Sequence, residues 1–321
     1  MNNFKVPSNW DFFYVLSNYA YMKKLLIVLV SFMISLNGFS QNGIVVFQTD
    51  FGTKDGAVSA MKGVASAVDP SLKLYDLTHD IPAYNIWEAA YRLDQTVPYW
   101  PAGTVFVSVV DPGVGTNRKS VVVKTKTGHF IVSPDNGTFT LIANSLGIDS
   151  IREIDEVVNR RKNSGASYTF HGRDVYAYTA ARLASHTIAY HQVGAISSTP
   201  LQVIPFQKAS LQNGVLKGNI AILDIQYGNI WTNIDQLYWK AFNAIAHTQN
   251  KIKLEVYHAN KLVYTGTMPF ENTFGAVAVG KPLAYLNSLM NLSFALNQAS
   301  MADQFHIAAG ADWNVAIHWA K

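Results

Sequence analysis

The periodicity of this 321-residue chain changes once along its length, and that change constrains the fold most. From Ile44 onward, short β-rich apolar runs alternate with helical stretches, which is typical of a parallel sheet covered by helices. After Asn213 the pattern becomes strand after strand, separated by turn residues. We therefore predict an α/β N-terminal domain over residues 43–200 and a smaller, mainly antiparallel domain over residues 213–321.

Local patterns place individual elements within this frame. In the first part we expect strands at 44–47, 72–77 and 104–110, a hairpin at 121–132, and helices at 56–68, 85–95, about 138 onward and 172–185. In the second part we expect strands at 215–225, 252–257, 261–265, 283–286 and 292–295. Asn85 is the predicted cap of its helix.

The N-terminal segment has the composition of a secretory signal peptide. Two lysines, Lys23 and Lys24, precede an apolar run at 25–34, and small and polar residues follow up to Gln41. The run is shorter than the roughly 20 apolar residues that span a bilayer. We predict a signal peptide at about 22–40 behind an upstream extension, and hence export to the periplasm or the medium. An N-terminal anchor or a dispensable hydrophobic helix is the alternative, and the location is cytoplasmic if the segment is not used.

Composition excludes several classes of function. The net charge is +4, but the Lys and Arg residues are scattered and form none of the dense basic runs that bind nucleic acid. We therefore predict no nucleic-acid partner. The chain contains no cysteine, which excludes disulfides, thiolate metal sites and a cysteine nucleophile.

Acidic residues follow the first predicted strand. Asp50 lies at its carboxyl end, where open α/β sheets bind ligands, and a carboxylate there can accept two hydrogen bonds from a vicinal diol such as a ribose. The alternative is that Asp50 caps the next helix, a contact worth about 1 kcal/mol. Asp55 lies near the start of that helix, where a negative charge favours the helix dipole by about 0.3–1 kcal/mol.

A second group of candidates comes from two later motifs. Asp111 ends an apolar strand and precedes a glycine-rich loop, from which Arg118 can turn back toward it. His171 stands at a predicted helix start. A structural ion pair and a structural histidine are the alternatives, but an acid, a cation and a base at element ends together indicate an active site.

Polar side chains also follow two strands of the second part. Asp224 and Asn229 come after the strand at 215–225, and Asn287 and Ser288 follow the strand at 283–286. Amides and hydroxyls at such positions can bind a purine edge or an amino-acid head group.

Five motifs together resemble the S-adenosylmethionine (SAM) hydrolase family, also called SAM hydroxide adenosyltransferases, which are related to fluorinases and chlorinases. They are TDFG (49–52), DPGVG (111–115), PDNG (134–137), FHGRD (170–174) and GNIWTN (228–233). The resemblance covers the chain from about Ile44 to its end. It implies a β-barrel-like C-terminal domain and a homotrimer whose ligand lies between one subunit's N-terminal domain and its neighbour's C-terminal domain.

The resemblance also implies roles for individual residues. The water-activating triad would be Asp111, Arg118 and His171. The residues that bind the substrate would be Asp50 on the ribose hydroxyls, Tyr84 beside the ribose, Asp55, Asp224 and Ser288 on the methionine moiety, and Asn229 on the adenine. Two arginines of the halogenases correspond here to Leu289 and to a position near Leu296, so these contacts depart from the halogenase pattern.

The function implied is hydrolysis of SAM to adenosine and methionine by attack of water or hydroxide at ribose C5′, with no metal and no organic cofactor. By the same resemblance, the halogenases carry a tyrosine at the position of Asp111 and a serine at the position of Gly172. The residues of this chain therefore favour water or hydroxide over halide as the nucleophile. The alternatives are a chlorinase-like halogenase and a non-catalytic protein that binds an adenosyl ligand. A metal-dependent hydrolase built on Asp50, Asp55 and His171 is disfavoured, because these residues lack compact ligand spacing. The substrate that the resemblance implies is an intracellular metabolite, whereas the predicted signal peptide implies export. These two inferences conflict.

Overall fold

The structure is a computed structural model that describes residues 41–113, 116–245 and 251–320. The predicted signal peptide and its upstream extension, over residues 1–40, lie outside the described residues, as do two residues of the DPGVG motif. Within the described ranges, no helix is both long enough and apolar enough to cross a membrane.

The first half of the described chain forms a six-stranded sheet. Its strands are β1 (Ile44–Thr49), β2 (Lys73–Thr78), β3 (Val105–Val109), β4 (Ser120–Thr125), β5 (Phe130–Pro134) and β6 (Ile148–Glu153). Their order across the sheet is β2-β1-β3-β5-β4-β6. The pairs β1/β2, β1/β3 and β3/β5 are parallel, whereas β4 runs antiparallel to both of its neighbours. The predicted hairpin at 121–132 is the β4/β5 pair.

Helices cover both faces of this sheet. They are α1 (Ala57–Val68), α2 (Ile86–Thr96), α3 (Thr140–Ser145), α4 (Glu156–Asn159), a π-helical segment (Gly172–Ala177) and α5 (Tyr178–Ala184). All five residues of β3 are buried, as expected of a strand covered on both faces. Val107 packs into the core under α1 and α5, while Phe106 packs into the opposite core with Leu93 of α2.

The second half forms an eight-stranded sheet that is antiparallel and nearly closed. Its strands are β7 (Ser210–Gln212), β8 (Val215–Asp224), β9 (Asn229–Asp235), β10 (Lys251–His258), β11 (Lys261–Pro269), β12 (Pro282–Leu286), β13 (Asn291–Leu296) and β14 (Trp313–Trp319). The path is β11-β10-β14-β8-β9-β13-β12, with β7 beside β8. A bridge between Phe270 and Ala284 brings the two ends of this path together. The predicted fold class, α/β followed by an antiparallel barrel-like unit, is confirmed.

The two sheets meet at α2. The indole of Trp87 donates a hydrogen bond of 2.8 Å to the carbonyl of Ala221 in β8. Tyr91 packs with Ala221 and Ile222 in one apolar cluster. This contact fixes α2 against the barrel.

Some elements differ from the predicted ones. The helix expected at 172–185 begins with the π-helical segment, a geometry that is frequent at functional sites. The sequence patterns did not predict β6, β7, β9 or β14, and they did not predict α4, α6 (Gln236–Asn243) or α7 (Met301–Phe305). The residues GNIWTN, which follow the predicted strand at 215–225, belong mainly to β9, in which buried and partly buried residues alternate.

Candidate active site

The loops after β1 and β3 lie at the carboxyl edge of the first sheet, at the switch point in strand order where the crevice of an open α/β sheet is found. From β1 the chain crosses to β2 on one side, and β3 lies on the other side of β1. Loops diverge at such a switch point, and open α/β sheets bind their ligands there. Asp50 directly follows β1, and Asp111 lies two residues after the end of β3. The sheet therefore brings both predicted acids to one edge.

Asp50 contacts the backbone of Tyr84 and does not cap a helix. Its Oδ2 atom accepts a hydrogen bond of 2.9 Å from the Tyr84 N–H. Tyr84 has a φ of +69°, a left-handed conformation that is uncommon for a bulky residue and is often found at functional sites. Its side chain is 67% exposed. The capping alternative for Asp50 is wrong, because α1 is preceded by Gly56, which makes no side-chain cap.

Asp55 makes the contact that its position at a helix start predicts. Its Oδ1 atom accepts a hydrogen bond of 2.9 Å from the N–H of Ala57, the first residue of α1. The residue is exposed. Asp55 therefore has a structural role at the start of the helix, and its exposed carboxylate is also accessible to a ligand.

Asp111 and Arg118 form the ion pair that the sequence allows. Arg118 donates from its guanidinium to Oδ1 of Asp111, which also accepts a hydrogen bond of 2.9 Å from the Gly113 N–H. The Asp111 side chain is only 2% exposed. Among the described residues, its second oxygen, Oδ2, has no hydrogen-bond partner. A buried carboxylate with one fixed and one available oxygen is suited to hold a water molecule.

His171 directly precedes the π-helical segment and is 7% exposed. Its Nδ1 atom lies 2.9 Å from the carbonyl oxygen of Tyr168, and its Nε2 atom lies 3.2 Å from a guanidinium nitrogen of Arg160. Glu156 lies next to both, 2.5 Å from that same nitrogen of Arg160. Glu156 and Arg160 were not among the predicted site residues; their signal in the sequence is an acid and a base spaced i,i+4 at a short helix.

Tyr176 lies beside the Asp111 and His171 groups. Its ring centroid is 6.3 Å from that of His171. Burial raises the pKa of the Tyr176 hydroxyl, and the charges of Asp111 and Glu156 raise it further. The hydroxyl is 3.1 Å from Oγ of Ser120. Tyr176 therefore stays a neutral hydrogen-bonding group next to the Asp111 carboxylate.

Aromatic packing joins the first motif to the fourth. The rings of Phe51 and Phe170 meet edge to face at a centroid distance of 5.9 Å. Gly172 lies under both, and a Cβ there would be 3.4 Å from each ring and 3.5 Å from the sulfur of Met61. The TDFG and FHGRD motifs are thus in direct contact.

A separate cavity of about 890 Å³ opens in the second half of the chain. Three residues that the sequence predicts to bind substrate line it: Asp224, Asn229 and Ser288. Its aromatic lining consists of Trp231, Phe274, Tyr227 and Tyr285. This volume and mixture of aromatic and polar groups suit a ligand of nucleoside size.

Two buried groups in this cavity give it polar character. Asn287 is 4% exposed, and its Oδ1 accepts hydrogen bonds from the N–H groups of Leu289 and Asn291. Its Nδ2 is buried and has no partner among the described residues. Burial raises the pKa of Tyr285 to about 12, although a hydrogen bond of 3.2 Å from the Trp231 indole opposes the shift. A buried amide donor without a partner is rare in folded proteins, and this one belongs to a residue of the cavity wall.

The predicted site residues therefore fall into two groups. Asp50, Tyr84, Asp111, Arg118 and His171 belong to the first half of the chain, with Asp55 at the start of α1. None of these six lines the 890 Å³ cavity, whose described lining begins at Asp224. Over the described ranges, no set of three His, Asp or Glu side chains is grouped in a way that could hold a metal ion.

Comparison with known proteins agrees with this architecture. The family model for the SAM hydroxide adenosyltransferase N-terminal domain matches residues 45–194, and the model for the C-terminal domain of that family matches residues 218–314. A solved structure of an uncharacterized conserved protein from Thermotoga maritima superimposes with a TM-score of 0.74 at 31% identity. That match covers 85% of this chain and 99% of the other.

Curated relatives carry the names of two activities. A protein named (R)-S-adenosyl-L-methionine hydrolase from Salinispora tropica is 31% identical over 83% of this chain and 95% of its own length. One of the same name from Methanocaldococcus jannaschii is 46% identical over 144 residues, which are 44% of this chain and 52% of that relative. Proteins named fluorinase match at 27–28% identity. The chain belongs to the SAM hydroxide adenosyltransferase family.

Proposed function

We propose that this protein hydrolyses SAM to adenosine and methionine by attack of water at ribose C5′. The observation that carries the proposal is the Asp111–Arg118 ion pair in the crevice, which leaves Oδ2 of a buried carboxylate without a partner among the residues that the structure describes. Relatives with the hydrolase name, one of them aligned over 83% of the chain, support the same reaction.

The chemistry fits the groups present. The water oxygen forms a bond to C5′ as the bond between C5′ and sulfur breaks, and the electron pair of that bond returns to the sulfonium sulfur. Methionine leaves as a neutral thioether, so the leaving group needs no general acid. Asp111 accepts a hydrogen bond from the attacking water and receives its proton, which then passes to solvent. Holding the water in line with the breaking bond can supply about 7–11 kcal/mol of the barrier reduction.

We further propose that the active site is completed between subunits of a homotrimer. The groups suited to the ribose and to water lie in the first half of the chain, whereas the 890 Å³ cavity has its described lining at Asp224 and beyond. In this arrangement Asp50 binds the ribose hydroxyls beside Tyr84 and Asp55 approaches the methionine moiety. The neighbouring subunit then supplies Asp224 and Ser288 for the methionine moiety and Asn229 for the adenine.

The first experiment is hydrolysis in ¹⁸O-labelled water by protein that lacks residues 1–40. Because the relatives' name specifies the (R) form, both sulfonium epimers of SAM are supplied separately. Labelled adenosine with unlabelled methionine is the expected result. Unlabelled adenosine or intact substrate would contradict the proposal, and tight binding without product would indicate a protein that only binds the adenosyl ligand.

The names of the fluorinase relatives make halogenation the second candidate. Reactions with chloride and with fluoride test it, since 5′-halo-5′-deoxyadenosine would be the product. We expect none, because an acid at position 111 suits water better than a halide: a carboxylate repels an anionic nucleophile.

The trimer is tested by mixing two inactive variants. Molar mass by light scattering is expected at three times the 35.4 kDa of the chain before processing, and lower in proportion after removal of residues 1–40. If subunits share sites, co-refolding Asp111→Asn with Asp224→Ala restores activity. Some sites then combine the intact first half of an Asp224→Ala subunit with the intact second half of an Asp111→Asn subunit. Two activities that stay additive and low would contradict a shared site.

We also propose that the segment at about 22–40 directs export and is removed. The composition of that segment supports this proposal. Fractionation of the source cells, with mass analysis of the mature N-terminus, is expected to find the protein outside the cytoplasm and starting near Gln41. An intact N-terminus in the cytoplasm would contradict it.

A further inference from the structure

Both ring nitrogens of His171 already have protein partners. Nδ1 faces the carbonyl oxygen of Tyr168 at 2.9 Å, and a carbonyl can only accept, so Nδ1 carries the proton. In the neutral ring Nε2 then offers its lone pair, and a guanidinium nitrogen of Arg160 donates to it at 3.2 Å. No nitrogen of the imidazole remains to take a proton from water unless one of these bonds breaks.

Arg160 is itself held in place by two further contacts and by burial. The nitrogen that faces His171 also donates to Oε2 of Glu156 at 2.5 Å. The guanidinium lies 4.5 Å from the ring centroid of Tyr168, the residue whose carbonyl binds Nδ1. The Arg160 side chain is 10% exposed. Glu156, Arg160 and Tyr168 thus form what we call the His171 clamp.

The clamp reaches the Asp111 side of the crevice through Glu156. Oε1 of Glu156 lies 3.7 Å from Nε2 of His171 and 3.5 Å from Oγ of Ser120. Ser120 is hydrogen-bonded to Tyr176, the neutral hydroxyl next to Asp111. A displacement of Glu156 or Arg160 is therefore transmitted to the position of the His171 ring and to the groups around Asp111.

We propose that Glu156 and Arg160 are positioning residues that fix His171 as a wall of the site, and that Asp111 alone accepts the proton of the attacking water. This inference rests on the proposed function and assigns different roles to Asp111 and His171 within the same site. His171 then acts by its position, with Nδ1 bound to the Tyr168 carbonyl and the Nε2 lone pair used by Arg160.

The protonated nitrogen can be observed directly by long-range ¹H–¹⁵N NMR of the substrate-free protein. The chain has nine histidines, so the His171 signals are assigned by their loss in His171→Gln. The expected spectrum has the proton on Nδ1 and an unprotonated, hydrogen-bonded Nε2. A neutral ring protonated on Nε2 would overturn the proposal. Because this measurement needs no turnover, it stands even if SAM is not the substrate.

Kinetics of Arg160 variants test the positioning role. We expect Arg160→Met to lower kcat about 10- to 100-fold with little change in KM, since small misplacements of catalytic groups have effects of that size. Arg160→Lys keeps a donor and is expected to restore part of the loss. The matched control is Arg92→Met, because Arg92 and Glu88 form the same i,i+4 pair at 3.0 Å on α2. Wild-type kcat in Arg160→Met would overturn the proposal.

Two substitutions of His171 separate positioning from proton transfer. The amide oxygen of His171→Gln can accept from Arg160 but cannot carry a proton away, whereas His171→Ala can do neither. We expect kcat of His171→Gln to be at least about tenfold higher than kcat of His171→Ala, because a misplaced catalytic group lowers the rate by about that factor or more. Equal losses would identify His171 as the base and overturn the proposal. Thermal melts confirm that each variant is folded, and if Arg160→Met is not, the Lys and Gln variants decide the outcome.

Discussion

The guanidinium of Arg118 lies directly over the α-carbon of Gly113: a Cβ at Gly113 would be 2.8 Å from the Nη2 atom of the arginine. The same arginine binds Asp111, so glycine at this position allows the ion pair to form. We predict that Gly113→Ala displaces the flexible end of Arg118, leaves the fold intact and lowers kcat. The expected loss is about tenfold or more, as for other misplaced catalytic groups.

The control for this substitution is Gly63→Ala. Gly63 lies in α1, is exposed, and has no atom within 4 Å of an added Cβ. Alanine in a helix interior is favoured over glycine by about 0.5–1 kcal/mol, so this variant should melt slightly higher with unchanged kcat. A Gly113→Ala enzyme as active as Gly63→Ala would show that the Asp111–Arg118 pair tolerates displacement.

Replacement of Asp111 tests the water-binding group itself. Asp111→Asn keeps the size of the side chain and can still accept from the Gly113 N–H, but it removes the charge that pairs with Arg118. We expect kcat to fall about 10²- to 10⁴-fold, the usual contribution of a general base, while KM changes little. Asp149→Asn removes an exposed acid that pairs with Lys124 and should change neither parameter. Near-normal turnover of Asp111→Asn would remove Asp111 from the mechanism.

Sequence patterns predict that the candidate residues of the first half lie at one edge of the sheet, because these residues stand at the ends of elements. Asp50 and Asp111 follow buried strands, and strand ends of a parallel sheet meet at one edge. The clamp around His171 was not predictable in this way, since Glu156 and Arg160 owe their importance to the path of the chain between β6 and the π-helical segment. Similarly, the sequence patterns did not place Asn229 and Trp231 in a strand, because the strand that forms this cavity wall has one polar face.

Asn287 is predicted to donate a hydrogen bond to the substrate. Its Oδ1 is used by the Leu289 and Asn291 N–H groups, and its buried Nδ2 is without a partner in the described chain. Asn287→Asp keeps both accepted bonds and replaces the donor by a carboxylate oxygen. A lost hydrogen bond to a charged group costs about 1.5–3 kcal/mol, so KM for SAM should rise roughly 10- to 100-fold.

The comparison variant is Asn291→Asp, which adds the same charge nearby but lines the other cavity, of about 630 Å³. Its KM should stay at the wild-type value. If both variants raise KM equally, the effect is one of general charge and Nδ2 of Asn287 does not contact the substrate. Melting temperatures of the two proteins show whether either substitution disturbs the turn at 287–291.

Stability at neutral pH is predicted to increase when Asp94 is neutralised. Burial raises the pKa of Asp94 above its usual 3.8, although a hydrogen bond from Ser145 opposes the shift. The folded state therefore binds this proton more tightly than the unfolded state, and stability falls as the pH rises from 3.8 through the folded-state pKa. Asp94→Asn should melt higher than wild type at pH 7, by about 2–4 °C for each kcal/mol gained. The gain should shrink as the pH falls toward 3.8.

Asp174, also in the first half of the chain, is expected to affect stability in the opposite direction, because its ionised form stabilises the fold. Burial alone would raise its pKa, but hydrogen bonds from Arg173 and Arg161 outweigh burial and hold the pKa below 3.8. Its ionised form therefore stabilises the fold above pH 3.8, and that contribution is lost as the pH falls through the folded-state pKa. Asp174→Asn should melt lower than wild type at pH 7, and the difference should close toward acid pH. If the melting-temperature difference between each Asn variant and wild type does not change with pH, packing and not ionisation governs both sites.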